Sequence, residues 1–408
     1  MRESQTARRN IPSIFERIVS PREFFFRSTE GAIREPSGSS FLEGSSLYKA
    51  DPRFDPKILG VRRRVMASKE VIVAAGAFNT PQLLKLSGIG PAAELKKFHI
   101  PVVVDLPGVG TNLQDNYEFC VVSQSPENFS PFAKSTLLEA GDPVLKQWIE
   151  GHGPYKSDAL AAGVLKHSTV SRGNEDLFLV GGPIAFTGFL PGYSKVAFGS
   201  LSTFTWDILK VRPRNNAGTV KLRSKDPHDM PDINFKFFEE DGYDSFNDAE
   251  HDLEAMAEGV VLARQIFAGV TGPIGPMTEQ FPGADVKTKR EIKQAIKNQA
   301  FGHHATSTCA IGADDDKMAC LDSKFRVRGT RGLRVVDASI FPRVPGYFPT
   351  VPIYMVSEKA AEIILEEVRG EDMVLDGVRD VEVLVQDWEE ERNGDSTKKR
   401  KFEVVDEL

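Results

Sequence analysis

The chain has 408 residues, 40% hydrophobic and 27% charged, the balance of an ordinary globular protein with room for more than one domain at roughly 150 residues each. Its 51 basic and 58 acidic residues leave a net charge of −7 spread along the chain, which excludes a nucleic-acid binder held by a basic face. No apolar run reaches the roughly 18 residues that span a bilayer, the opening MRESQTARRN lacks the apolar core of a secretory signal, and the 3 cysteines are too few for a disulfide framework. The expectation is a cytoplasmic protein in a reducing setting.

In chain order, residues 1–60 mix Arg, Ser, Pro and Glu without sustained alternation and read as a poorly organised segment; the Phe24-Phe25-Phe26 triplet stands alone in it. The run Glu70 to Ala75 has the length and composition of a buried strand. Gly76 stops it, and Thr80-Pro81 reads as N-cap and first helical residue of a short helix through Leu86. Ser87-Gly88-Ile89-Gly90-Pro91 ends that helix, a second covers Ala92 to Phe98, and Pro101 to Asp105 reads as a strand before the turn Pro107 to Gly110. From 116 to 300 the texture is one of scattered strands and long loops. Within it, Thr219 to Arg223 and Ile233 to Phe235 form a strand pair, and Ala249 to Phe267 carries apolar residues at helical spacing. Beyond 300, Leu333 to Val336 is a short strand and Pro352 to Glu367 a long helix. Residues 369–408 form a charged tail without periodicity, expected to be disordered.

A dinucleotide fingerprint would place a glycine turn between a strand and a helix, so that backbone amides cradle a pyrophosphate. Gly88-Ile89-Gly90-Pro91-Ala92-Ala93 satisfies GxGxxA as a string, but it follows a helix and Pro91 removes a donor; it reads as a helix stop. Gly108-Val109-Gly110 has Leu113 where the third glycine belongs.

The longer stretch Gly76-Ala77-Phe78-Asn79-Thr80-Pro81-Gln82-Leu83-Leu84-Lys85-Leu86-Ser87-Gly88-Ile89-Gly90 resembles the second signature of the glucose–methanol–choline (GMC) oxidoreductases, in a choline-dehydrogenase-like form. Leu106 to Asp115 is similar to the same family, with Asn116 where a histidine is usual. Arg212-Pro213-Arg214 through Asp226-Pro227 resembles the start of the family's C-terminal region, and His304-Ala305-Thr306-Ser307-Thr308-Cys309 its His-x-x-Gly-Thr-Cys segment, with Ser307 replacing glycine. Gly332 to Ser339 and Ser357 to Ala361 follow in family order. The match covers about residues 68 to 368 and is weakest in the middle loops.

The resemblance implies an α/β flavin domain with an α+β second domain, the two-domain GMC fold, N-terminally incomplete because the family's strand–glycine-turn–helix for the ADP half of FAD is not found here. Residues 61–115 and 301–368 would form the flavin domain and 116–300 a substrate domain with an antiparallel sheet. It implies FAD as cofactor and a small-molecule alcohol as substrate, with oxidation by hydride transfer to the flavin. A base within reach of the hydroxyl proton is required, and a near-neutral imidazole suits that task. By resemblance His304 is that base, His303 lines the flavin edge, and Asp337, Ala338, Pro349 and Thr350 contact the cofactor. Phe348 stands where the family places a second polar residue facing the substrate, and a phenyl ring cannot hydrogen-bond the substrate oxygen. That departure leaves open a non-oxidative lyase or cyclase, and the missing cradle leaves open a flavin-free pseudoenzyme or binding protein. No metal site is expected, since two adjacent histidines have no carboxylate or cysteine at ligand spacing.

Overall fold

The computed structural model describes residues 18–28, 34–137, 139–157, 159–239, 248–371 and 385–387. The first of these contradict the expectation of a poorly organised start. β1 (Ile18–Ser28) pairs antiparallel with β2 (Arg34–Glu43), and β2 with β3 (Val61–Met66); Val385–Asp387 adds a fourth strand beyond β3. In the second half of β2 the buried row is Gly38, Ser40 and Leu42, so inward positions carry Gly and Ser where a period-2 reading looks for apolar residues. The surroundings of Phe24 to Phe26 within β1 lie outside the described residues, as do 372–384 and 388–408 of the charged tail expected over 369–408, in which Val385–Asp387 is a strand and 369–371 are helical.

β4 (Val71–Val73) leads into α1 (Gly76–Leu86), which begins four residues before the expected Thr80 cap. The reason is tertiary. Asp337 accepts hydrogen bonds from the Gly76 amide (3.0 Å) and the Thr80 hydroxyl (2.6 Å), capping the helix from a remote segment. Pro81 then lies inside the helix and cannot bond the Ala77 carbonyl, which instead accepts from the Thr308 hydroxyl at 2.6 Å. Gly88 stops the helix as expected: its φ is +83°, and a Cβ there would sit 2.4 Å from the Pro101 carbonyl. The two-residue β5 (Ile89–Gly90) pairs in parallel with β6 (Val104–Asp105) across α2 (Ala92–Lys97).

The middle of the chain is far more regular than its sequence texture. β7 (Tyr117–Gln124), α3 (Pro143–Ile149), β8 (Ala162–Lys166), β9 (Leu177–Gly182), α4 (Tyr193–Ala197) and β10 (Thr203–Lys210) follow in order. β11 (Thr219–Lys221) and β12 (Asp232–Asn234) form the expected antiparallel pair, and α5 (Asp248–Ala268) the expected long helix. β13 (Thr278–Phe281) completes an antiparallel sheet in the order β13-β7-β10-β9-β8, and α6 (Lys289–Gln299) is closed by a Thr288–Glu291 capping box. Tyr117, Phe119, Val121, Leu179, Trp206 and Ile208 on one face of this sheet pack against Leu253, Met256, Val260 and Phe267 of α5. Burying an aliphatic or aromatic side chain of this size contributes about 1.5–3 kcal/mol.

A second core joins the two ends of the match. Val73, Leu83, Leu84, Ile89 and Val109 pack with Cys309, Leu321, Val327, Leu333 and Val335. β14 (Leu333–Val335) pairs in parallel with β4, and α7 (Thr350–Glu371) lies over this core through Val356, Ala360 and Ile363. No helix among the described residues is long and apolar enough to cross a membrane.

Candidate active site

The residues expected to carry chemistry converge on an extended loop, 301–309, held on both sides. On one side Phe301 exchanges backbone bonds with Glu118 (3.0 and 2.8 Å) and Thr306 with Gln114 (2.9 and 3.2 Å). On the other, Ser307 and Cys309 donate to the carbonyls of Ala338 (3.1 Å) and Ser339 (2.8 Å). Ser307 holds φ +77°, the left-handed conformation that favours glycine, which explains the glycine usual at this position. Cys309 is fully buried in the second core.

His304 is buried at 5% exposure, and its amide donates to Asp115 Oδ1 at 2.7 Å. His303 is the more exposed of the pair, its ring 3.9 Å from that of His304 and 4.5 Å from Phe189. The Phe348 ring stands edge-on to His304 at 5.3 Å and packs on Phe178 at 5.7 Å, so the expected substrate-facing position does lie beside the histidine. Burial lowers the pKa of His304 to about 3, and neighbouring His303 adds to the effect, so the imidazole is neutral at physiological pH.

The fold also supplies what sequence reading missed. β7 alternates: Tyr117, Phe119 and Val121 enter the core, while Glu118 and Cys120 face the other way. Glu118, fully buried, puts Oε1 2.8 Å from His303 Nδ1 and 3.5 Å from His304 Nδ1. Asp207 on β10 lies against it, a contact two carboxyl groups make only when one holds a proton. Burial raises Glu118 to about 9, Asp115 to about 7, and Asp207 well up. The expectation that no carboxylate reaches the histidine pair is therefore corrected: Glu118, His303 and His304 bring ligand-type atoms within 4.8 Å of one another.

This arrangement has a pH signature. Unfolded Glu118 loses its proton near 4.5 and folded Glu118 only near 9, so stability falls as pH rises through that window. Glu118→Gln is expected to lessen this dependence, the share of Asp115 and Asp207 remaining, read by urea unfolding of both proteins at about pH 5 and about pH 8.5. Identical pH dependence in the two proteins would show that Glu118 titrates normally.

Of the expected cofactor residues, Asp337 and Ala338 follow β14 and lie beside Gly76. β4 and β14 run in parallel, and their carboxyl ends open at Gly76 and at Asp337-Ala338, the crevice where open α/β sheets take ligands. Gly76, at φ +81°, has open space where a Cβ would stand. Pro349 is buried and Thr350 exposed at the start of α7, whose first amides and positive dipole end suit an electron-rich ring edge. The Asp337 carboxylate, however, is taken by Gly76, Thr80 and Ser339, which leaves its backbone and that of Ala338 at the edge. With that carboxylate at the N-terminus of α1, the strand–turn–helix β4–Gly76–α1 already holds an anion and offers a pyrophosphate no cradle. The described residues thus fit the ring end of a flavin.

Two family models, both described as GMC oxidoreductase, match residues 53–118 and 213–357. A glucose methanol choline oxidoreductase of Aspergillus terreus, atC, is 35% identical over 326 residues, 76% of this chain and 50% of the relative. An oxygen-dependent choline dehydrogenase of Brucella anthropi is 34% identical over 305 residues, 74% and 52% of the two chains. Choline oxidase of Arthrobacter globiformis is 32% identical over 321 residues, 78% and 52%. The chain therefore spans about half the length of the curated relatives it matches. Among solved structures, a formate oxidase variant of Aspergillus oryzae superposes with a TM-score of 0.69 at 24% identity, covering 86% of this chain and 60% of that one. A fungal aryl-alcohol oxidase gives 0.58 at 22%, over 81% and 58%. These two likenesses speak for the fold.

Proposed function

Because the chain belongs to the GMC oxidoreductase family, we propose that it serves FAD-dependent oxidation of an alcohol, with His304 as the base that takes the hydroxyl proton. The observation that carries this reading is a buried imidazole whose backbone amide is held by Asp115, with Phe348 beside it. Bound FAD would supply the hydride acceptor. Gly76, Ala338, Pro349 and Thr350 would line its ring end.

The chain's own residues account for the proton. His304 Nδ1 faces Glu118 Oε1 at 3.5 Å, and the role of base requires the tautomer with the proton on Nδ1, which leaves the other ring nitrogen a lone pair for the hydroxyl. Desolvation keeps that lone pair unprotonated in the resting site. Phe348 contributes no hydrogen bond; with Phe178 and Tyr347 on one side of the histidine pair and Phe189 against His303 it offers aromatic faces that suit an apolar or methylated-ammonium substrate body. The relatives named for choline act on a substrate of the latter kind, which makes choline the first alcohol to try.

The test is a spectrum. The purified chain is incubated with FAD, dialysed, and mixed without oxygen with choline and then with simple primary alcohols. Retained flavin absorbance that bleaches on adding an alcohol is the expected result. Loss of all flavin on dialysis would overturn catalysis by this chain alone. Product formation without bleaching would favour a non-oxidative reaction.

A further inference from the structure

We propose that Glu118, His303 and His304 form a site for a divalent transition cation of the zinc type, and that a cation there and the action of His304 as a base exclude one another. The exclusion rests on the reading of His304 given above; the binding site does not.

The three residues come from β7 and the loop 301–309 and meet at Glu118 Oε1, which lies 2.8 Å from His303 Nδ1 and 3.5 Å from His304 Nδ1. All three ligand-type atoms fall within 4.8 Å of one another. Bond lengths of about 2.0–2.2 Å set neighbouring ligands of a tetrahedral ion about 3.3–3.6 Å apart, so small side-chain adjustments bring these atoms onto one ion. His304 is 5% exposed, and its Nδ1 is buried without a hydrogen-bond partner among the described residues. At 3.5 Å it stands beyond a good N–H···O bond to the carboxyl oxygen it faces. A cation between the two would bond both.

The neighbouring groups also favour a cation. Asp115 and Glu118 are 2% and 0% exposed, Asp207 lies against Glu118, and among the described residues none of the three has a Lys or Arg partner. Asp115 Oδ1 accepts the His304 amide, while its Oδ2 is buried without a partner. Buried carboxyl groups gain from a positive charge beside them. Two imidazoles in the ligand set select zinc, cobalt, nickel or copper over magnesium and calcium, which take oxygen ligands.

A neutral imidazole carries one hydrogen on its two nitrogens. As base, His304 holds it on Nδ1 and offers the lone pair of the other nitrogen; as a ligand through Nδ1, it holds it on that other nitrogen. One ring cannot do both. On binding, the ion exchanges water ligands for the three side chains and the Glu118 proton goes to solvent, with no change of oxidation state.

Calorimetric titration of the chelator-treated full chain with Zn²⁺ tests the site, with Mg²⁺ as control. Saturable binding of a single Zn²⁺ and none of Mg²⁺ is expected. Affinity should fall about tenfold or more in Glu118→Gln and in His303→Gln, and stay unchanged in His152→Gln, which removes an exposed histidine facing Glu150. X-ray absorption at the zinc edge of the parent protein, which needs no variant to fold, is expected to show two imidazoles. Absence of saturable Zn²⁺ binding, binding indifferent to both site variants, or an edge spectrum without two imidazoles would overturn the site. In the FAD-loaded chain, saturating Zn²⁺ is expected to slow bleaching by alcohol about tenfold or more. Unchanged bleaching with Zn²⁺ bound would overturn the exclusion. The binding measurements use no flavin, so a chain that binds Zn²⁺ through two imidazoles but never bleaches upholds the site while the proposed oxidation fails.

Discussion

His304→Gln is expected to slow flavin reduction by alcohol by about 10²–10⁴-fold, the usual contribution of a positioned general base. Glutamine fills much of the same space but has no basic nitrogen, so the hydroxyl proton must leave to water. The backbone bond from residue 304 to Asp115 is untouched by the change, and so are the Thr306–Gln114 and Ser307–Ala338 bonds that fix the loop. The unfolding midpoint and the flavin spectrum should therefore stay close to those of the parent protein. The decisive measurement is single-turnover bleaching in the FAD-loaded chain. A loss below tenfold, with flavin bound normally, would remove His304 from the role of base and move attention to His303.

Asp337→Ala is expected to produce the largest loss of stability, about 3 kcal/mol or more. Its carboxylate accepts from the Gly76 amide at 3.0 Å, the Thr80 hydroxyl at 2.6 Å and the Ser339 amide at 2.7 Å. Alanine strands all three donors, and one buried unsatisfied group alone costs about 1–3 kcal/mol. It also removes the negative charge from the N-terminus of α1. Asp337→Asn keeps an acceptor oxygen and should lose less, so the order parent, Asn, Ala in urea midpoint separates hydrogen bonding from simple packing. Equal loss in both variants would mean that charge at the helix end dominates.

How much of this was legible in the chain follows from where each signal is stored. The strand at Val71–Val73, the stop at Gly88, the pair β11–β12 and the helices α5 and α7 each announce themselves locally, through apolar period, glycine or spacing. The five-stranded sheet does not. β7 is buried along nearly its whole length, so its sequence never alternates between apolar and polar residues. The start of α1 was misplaced because its cap comes from Asp337, far along the chain. Glu118 left one trace: a lone carboxylate within Tyr117-Glu118-Phe119-Cys120-Val121-Val122, where burying a charge is costly unless a partner or a proton answers it.

The sequence by itself determined the family, through the motifs at 76–90, 106–115 and 304–309, and with it the candidate base. The structure gives those motifs their physical meaning, since Thr80, Pro81 and Thr308 are tied together by Asp337 and the Ala77 carbonyl. Only the tertiary structure decided the surroundings of His304: Glu118 and Asp207 behind the pair, Phe348 beside it, and Asp337 consumed in capping. Those partners come from separate strands and loops, and their protonation depends on how deeply the fold buries them, which no local pattern encodes.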